Sequence, residues 1–370
     1  MQVQELSYLH NLIFKRSDLH FMTQIHILAD ENIPGLEALC GDWASISTRP
    51  GRAICAADLK NVDILFVRSV TSVDSALLDG SNVKFVGSAT IGIDHLDIDY
   101  LVAAGIQYAH APGSNANSVV DFVMSCILSS FDLQDIPKQT VGIIGAGNVG
   151  GRLANCLNHF GLDFLIYDPF VALNIPQQVS HLDELLVANV VSLHVPLSHS
   201  GDRATWHMFD KRLLSRLSNH CLLINTSRGS VIDNQALFTC LDNGQSLRLA
   251  IDVWENEPNI LWPLCQLAYI STPHIAGYSY PGKLRGSEQI VMAAQHFYGL
   301  DSSHSTAKSM FSLSNFDSIQ DYHYALQKIY DVGADHASFH AQLELADNPS
   351  DCFDHFRKIY PQRDEISYDR

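Results

Sequence analysis

The segment TVGIIGAGNVG, residues 140–150, constrains this chain more than any other. A short β-branched apolar run enters a glycine turn, Gly145-x-Gly147-x-x-Gly150, and leaves into the helical pattern GRLANCLNHFG, which ends at Gly161. Strand, tight turn and helix in that order predict one unit of a doubly wound parallel sheet. Gly145 allows the turn, Gly147 lets the backbone approach a pyrophosphate, and Gly150 lets the helix pack close to the strand. The unpaired N–H groups and dipole at the helix start favour phosphate.

A bare glycine triplet of this kind often arises by chance. Here the next apolar run, DFLIYDP, puts Asp168 at a strand end about 20 residues after the loop, where a carboxylate can accept both ribose hydroxyls. A carboxylate there repels a 2′-phosphate, and Pro169 and Phe170 offer no arginine to welcome one, so the pattern favours NAD over NADP. Asp168 could instead simply start a turn before Pro169.

Further runs follow at the spacing of parallel strands separated by helices: VVSLHVP, CLLINTS, LRLAIDVW and YISTPH. In an open parallel sheet the C-terminal strand ends line one crevice, so Arg228, Asp252, Glu257 and His274 can converge although far apart in sequence. Arg228 precedes Gly229, a position where the chain can turn close to a ligand. Its guanidinium can clasp a carboxylate bidentately, or pair with a structural acid. His274 is one of 18 histidines, but it stands between Pro273 and IAGY at a strand end, downstream of the acid-rich turn WENEP. Oxidising a hydroxy acid requires removal of the hydroxyl proton as hydride leaves carbon, and imidazole suits that proton transfer near neutral pH. A carboxylate beside the ring would orient it and stabilise the imidazolium. Spacing alone leaves Glu255 and Glu257 both open for that part.

Through GAGNVG, YDP, LINTSRGSVID, DVWENEP and TPHIAGY the chain resembles the D-isomer-specific 2-hydroxyacid dehydrogenases. The resemblance covers roughly residues 24 to 300. It implies an NAD-dependent dehydrogenase with Arg228, Glu257 and His274 as catalytic residues, which selects Glu257 over Glu255. It further implies a cofactor site of Gly145, Gly147, Asn148, Val149, Gly150, Asp168, Val195, Thr226, Ser227, Arg228, Asp252 and Gly277. The segments ADENIP, VRSVT, KFVGSATIGIDHLD, APGSNA and HIAGYSYPGKLRG are closest to a branch of the family that handles a small phosphorylated hydroxy acid. By that analogy Ser69, Thr90 and Tyr278 touch substrate. An acid with a carboxylate at one end and a phosphate at the other needs two anion holders, and Arg228 can serve one. Arg68, Ser69, Thr90 and Arg285 are candidates for the other, with turn chemistry the alternative for Ser69 and Thr90 and a solvated helix face for Arg285. Sibling activities on phosphoglycerate or hydroxypyruvate would keep the same trio. A non-catalytic NAD-sensing partner protein is the rival from another class.

The formal charge of −17 and pI near 5.4 disfavour nucleic acid and anionic lipid as partners. No run approaches the roughly 20 apolar residues that span a membrane. Eight cysteines without a CxxC pair signal neither a zinc site nor a redox motif, so no metal is expected and the thiols suit a reducing cytoplasm.

The fold class expected is α/β: two doubly wound parallel-sheet domains, a flavodoxin-like substrate domain and a Rossmann NAD domain, plus a small C-terminal α+β domain. The divisions read from the sequence are an N-terminal extension at 1–23, a substrate-binding domain at 24–116 and 287–300, the NAD domain at 117–286, and a C-terminal segment at 301–370. The extension mixes charges, does not read as a signal peptide, and makes translation from Met22 a plausible start. NSVVDFVMSCILSSFDL, residues 117–133, should cross between the two domains, with a return crossing in the helix after Gly286. Two crossings suggest a hinge closing a cleft over substrate. In the family branch that the chain resembles the tail serves dimerisation, which makes a homodimer the expected assembly.

Overall fold

A computed structural model describes residues 25–301 and 307–368; the N-terminal extension and the start at Met22 lie outside the described residues. The first sheet holds β1 (Ile25–Asp30), β2 (Ala44–Arg49), β3 (Ile64–Val67), β4 (Phe85–Ser88) and β5 (Gln107–His110), all parallel, in the order β2-β1-β3-β4-β5. Short helices α1 (Leu36–Cys40), α2 (Ser75–Leu78) and α3 (Ile98–Ala103) connect them. Helix α4 (Ala116–Ser130) leads to the second sheet, also parallel throughout: β6 (Val141–Ile144), β7 (Phe164–Tyr167), β8 (Val190–Leu193), β9 (Leu222–Asn225), β10 (Arg248–Ile251) and β11 (Ile270–Ser271), in the order β11-β10-β9-β8-β6-β7. Between its strands run α5 (Asn148–His159), α6 (Lys211–Leu214), α7 (Asn234–Asp242) and α8 (Trp262–Leu267). Strands β3, β4, β6, β8 and β9 are buried at every residue, as strands covered on both faces must be. The α/β class and both parallel sheets therefore agree with the sequence.

The strand order reverses at β1 in the first sheet and at β6 in the second, so each has a crevice at the carboxyl ends of its central strands. β2, ASISTR, gives no apolar run and was not legible as a strand. It is an edge strand whose outer residues are half-buried or exposed, and burial on one side leaves its pattern polar.

Helix α9 (Tyr280–Phe297) makes the return crossing. It begins at Tyr280, earlier than the sequence suggested, because Ser279 caps it by accepting from the Gly282 N–H and Pro281 sits in its first turn. Its Ile290, Val291 and Ala294 complete the core formed with Ile27, Phe66 and Phe85 of the first sheet.

The C-terminal segment consists of a parallel pair, β12 (Phe311–Ser312) with β13 (Ile366–Ser367), and helices α10 (Ile319–Ile329), α11 (Val332–Leu345) and α12 (Pro349–Ile359). Its apolar residues divide between the two cores flanking the second sheet. Tyr322, Leu326, Tyr330, Ile366 and Tyr368 join α4 and α5, while Phe339, Phe353 and Phe356 join Trp254 and Leu264. All eight cysteines are free thiols, seven of them buried. Among the described residues no helix is long and apolar enough to cross a membrane.

Candidate active site

The glycine loop joins β6 to α5 in the shape its spacing requires. Gly145 has φ +96°, and a Cβ there would stand 2.5 Å from the His194 carbonyl oxygen. A Cβ on Gly150 would stand 1.9 Å from the Gly145 carbonyl oxygen, so the helix packs on the loop without room for a side chain. Around Gly147 nothing lies within 4 Å of that position, leaving open backbone over the first turn of α5, where Asn148 and Val149 carry N–H groups with no preceding turn to satisfy them. These residues fit a dinucleotide pyrophosphate.

Asp168 follows β7. Its Oδ2 accepts the Ala146 N–H at 2.8 Å and its Oδ1 accepts the N–H groups of Phe170 at 2.8 Å and Val171 at 3.1 Å. The carboxylate thus braces the glycine loop and also starts the turn after Pro169. Val195, following β8, lies against Gly145. Half-buried His194 is pushed down to about 3 by desolvation, so it stays neutral.

After β9 the loop Thr226–Arg228 is held by Asn225, which lies in the motif LINTSRGSVID but was not among the expected site residues. The Asn225 carboxamide oxygen accepts from the Ser227 N–H and hydroxyl, and its amide donates to the Arg228 carbonyl.

His274 and Glu257 meet directly, with Nδ1 at 2.8 Å from Oε2. The other Glu257 oxygen accepts from the Trp254 N–H at 2.8 Å. Burial alone would raise the Glu257 carboxyl, but the imidazole of His274, Arg357 and the Trp254 N–H outweigh it and hold the carboxyl below the usual range. As an ionised carboxylate only accepts, Nδ1 carries the proton and Nε2 keeps its lone pair. Burial likewise opposes charge on His274, yet Glu257 raises the imidazole above its ordinary value. Glu255 is occupied elsewhere, with Oε1 at 2.7 Å from His207 Nε2 and Oε2 accepting the Asn234 N–H.

His274 sits at φ +58°, a conformation that a residue with a side chain adopts only when its surroundings impose it. Asp252 imposes it. The His274 N–H donates to the Asp252 carbonyl, and the Asp252 carboxylate accepts from the Thr272 hydroxyl and the N–H groups of Ile275 and Ala276. Asp252 is fully buried, so the sequence expectation of a nicotinamide contact meets a carboxylate already serving as the anchor of the histidine loop.

Arg228 reaches across the cleft to the first sheet. Its Nε donates to Asp94 at 2.8 Å, Nη1 donates to the Ser227 carbonyl, and Nη2 lies where a Cβ on Gly92 would stand, at 1.5 Å. The Asp94 pair is partly exposed, with side chains at 32% and 47% of full accessibility, so exchanging Asp94 for another carboxylate costs about 0–1 kcal/mol.

The other expected anion holders part company. Arg285 is neither free nor on a solvated face: it is bonded to the buried Glu365 and to the Ser114 carbonyl, and the tail carboxylate takes the charge expected for substrate. The Thr90 hydroxyl is engaged locally with Ser88 and the Gly92 carbonyl. Ser69 lies exposed in the turn after β3. Arg68 donates to the Tyr278 hydroxyl at 3.1 Å. Gly277 packs so tightly on Asn115 that a Cβ would stand 2.1 Å from its amide nitrogen. Two residues absent from the sequence expectations join this corner: Lys283, with Nζ 4.3 Å from the Tyr278 ring centre, and Arg357 of α12, at 6.0 Å. Lys283 lies in the segment HIAGYSYPGKLRG and could have been considered. Arg357 carries no local signal, because only the folded tail brings it here.

The family described as "D-isomer specific 2-hydroxyacid dehydrogenase, NAD binding domain" matches residues 125–276. Erythronate-4-phosphate dehydrogenase of Pseudomonas putida is 42% identical over 92% of this chain and 93% of its own length, and that of Pseudomonas aeruginosa is 42% identical over 93% and 94%. Among solved structures, D-lactate dehydrogenase of Aquifex aeolicus, complexed with NAD and lactic acid, superposes with a TM-score of 0.65 at 25% identity over 74% of this chain and 95% of its own. NAD-bound 3-phosphoglycerate dehydrogenase of Entamoeba histolytica shares the fold with a TM-score of 0.64 over 77% of this chain and 99% of its own, at 21% identity.

Proposed function

The chain belongs to the erythronate-4-phosphate dehydrogenases, within the D-isomer specific 2-hydroxyacid dehydrogenase family, and on that premise we propose that it oxidises 4-phospho-D-erythronate to 3-hydroxy-2-oxo-4-phosphooxybutanoate as a step of pyridoxal phosphate synthesis. The observation that carries the reading is the Glu257–His274 pair, an acid–base couple with the ring nitrogen away from the carboxylate left as acceptor. Bound NAD supplies the hydride acceptor. His274 Nε2 takes the proton of the C2 hydroxyl while hydride leaves C2, and Glu257 stabilises the imidazolium that forms. Arg228 releases Asp94 and holds the substrate carboxylate in its fork, which also polarises C2. Gly145, Gly147, Gly150 and Asp168 seat the pyrophosphate and ribose. Ser69, Thr90 and Tyr278 contact the substrate, and the first sheet with α9 is the substrate-binding unit that closes on the second. A cytoplasmic homodimer is the proposed working form.

An NAD-sensing protein without turnover has no evident need for an ionised carboxylate behind a histidine, and the intact trio favours catalysis. The test is NADH formation, followed by absorbance, with 4-phospho-D-erythronate beside 3-phosphoglycerate and D-lactate. The first should be turned over with the highest kcat/KM, and a preference for either of the others would replace it as substrate. His274→Ala should lower kcat by about 100-fold to 10,000-fold while NAD binding, read by calorimetry, persists. Unchanged turnover would exclude the general base.

A further inference from the structure

We propose that Arg68, Lys283 and Arg357 form the seat of the substrate phosphate around Tyr278, so that helix α12 of the C-terminal segment is part of the substrate site and sets the preference for a phosphorylated acid. This rests on the reading that the substrate is a phosphorylated 2-hydroxy acid.

Three cations from three separate elements surround one phenol. Arg68 follows β3 and donates to the Tyr278 hydroxyl; Lys283 lies on α9 and Arg357 on α12, both over the ring. Such crowding is unexpected in a chain of formal charge −17. The protein neutralises it only in part, through Glu257 and Asp354 near Arg357. Among the described residues neither Arg68 nor Lys283 forms an ion pair, and the nearest acid to Arg357 is Asp354 at 3.9 Å, itself bonded to Arg52 at 2.9 Å. Glu257 is committed to His274 and the Trp254 N–H. The Arg357 side chain is only 11% exposed, and its Nε is a buried donor with no hydrogen-bond partner. A buried charged donor left unpaired is costly, so its retention points to a ligand that completes it.

The ionisation of the corner agrees. Burial would raise the Tyr278 phenol, but Arg68, Arg357, His274 and Lys283 overcome it and bring it down to about 7. Lys283 is lowered to about 8 by burial and then by Arg68. Both describe a positive field without its counter-ion, which a phosphate dianion would supply.

Position fits the substrate as well. Tyr278 closes the same turn that carries His274, its N–H donating to the Ile275 carbonyl, so the seat is fixed relative to the general base. A cavity of about 250 Å³ opens beside Tyr278 and Lys283, bounded by Asn32 of the first unit and Tyr360 and Gln362 of the tail. With Arg228 holding C1 and His274 at C2, the far end of a four-carbon acid needs a cationic site of this kind.

The full-length enzyme and its Lys283→Met and Arg357→Gln variants would be compared with 4-phospho-D-erythronate, with unphosphorylated D-erythronate, and for binding of inorganic phosphate by calorimetry. Each substitution should lower kcat/KM for the phosphorylated acid about 10-fold to 100-fold, mostly through KM, and by at least about tenfold more than for the unphosphorylated acid. Inorganic phosphate should bind the wild-type enzyme and be lost from both variants, while Arg357→Lys should keep part of its binding. Equal losses with both acids, or phosphate binding unaltered in the variants, would overturn the assignment. If the wild type prefers an unphosphorylated acid, the functional reading falls, and phosphate binding lost in both variants would still support the seat.

Discussion

His274 and Glu257 define a pH dependence whose direction the structure sets. Oxidation needs neutral imidazole, and Glu257 raises the pKa of that ring against the lowering effect of burial. The rise of kcat/KM with pH should therefore have its midpoint above the ordinary histidine value of 6.5. Glu257→Gln removes the charge but leaves the burial, so the midpoint should move down as kcat falls. A pH–rate profile of the variant with an unmoved midpoint would show that Glu257 does not tune the base. Gly92 offers a second test of a single position. A methyl group there collides with Arg228 Nη2, the mobile end of a long side chain, rather than with backbone. Gly92→Ala should cost more than about tenfold in kcat/KM, through KM for the hydroxy acid, while shifting stability by less than about 0.5 kcal/mol. A large drop in melting temperature would mean that the loop, and not the arginine, gives way. Of the proposed catalytic residues, Arg228 and His274 were legible because each follows an apolar run, whereas only the family resemblance separated Glu257 from Glu255 in the turn WENEP. The contacts of Gly92 and Asp94 with Arg228 were not legible, because Arg228 lies 134 residues from Asp94 and only the fold joins them. Arg285 misled for the converse reason: its neighbours in sequence give no hint of Glu365, 80 residues away.

Strands and helices were readable wherever burial on both faces left a continuous apolar run. Asp168 shows how an element end combines two tasks. By accepting the Ala146 N–H it ties β7 to the glycine loop, and it should also meet the ribose hydroxyls. Asp168→Ser should therefore raise KM for NAD by about tenfold or more and relax the discrimination against NADP, because the charge that repels a 2′-phosphate is gone. Steady-state kinetics with both cofactors would read this, and an unchanged NAD/NADP ratio would separate the loop brace from ribose recognition. The tail was less legible. Residues 322–344 show an amphipathic stretch, yet the structure breaks it into α10 and α11, where Asp331 accepts the Gly333 and Ala334 N–H groups and caps a new helix. A cap of that kind competes with continuous helix, and periodicity alone does not decide between them.

The whole molecule is built so that the cleft is lightly fastened and the crossings firmly. Across the cleft, Arg228–Asp94 and Arg52–Asp354 are exposed ion pairs worth about 0–1 kcal/mol each. At the crossings, residues 363–368 run largely buried between the start of α4 and the start of α9. Glu365 accepts from Asn117 and Ser279 and pairs with Arg285. Arg363 donates to the carbonyls of Ser118 and Ala276, stacks on Tyr330 and lies 3.6 Å from Asp121, whose other oxygen accepts the Tyr368 hydroxyl. The tail thus holds both chain crossings together, and through Ala276 it touches the loop that carries His274. Arg363→Ala should destabilise the protein by about 3–5 kcal/mol, since it strands Asp121 in a site that burial already drives toward the protonated form. The loss should shrink as pH falls, because protonation relieves the stranded carboxylate, whereas a purely steric defect would be indifferent to pH. Urea unfolding of variant and parent at two pH values would distinguish them. A pH-independent loss, or one below about 1 kcal/mol, would mean that packing of α10 and α11 against α4, rather than the buried charges, fastens the tail.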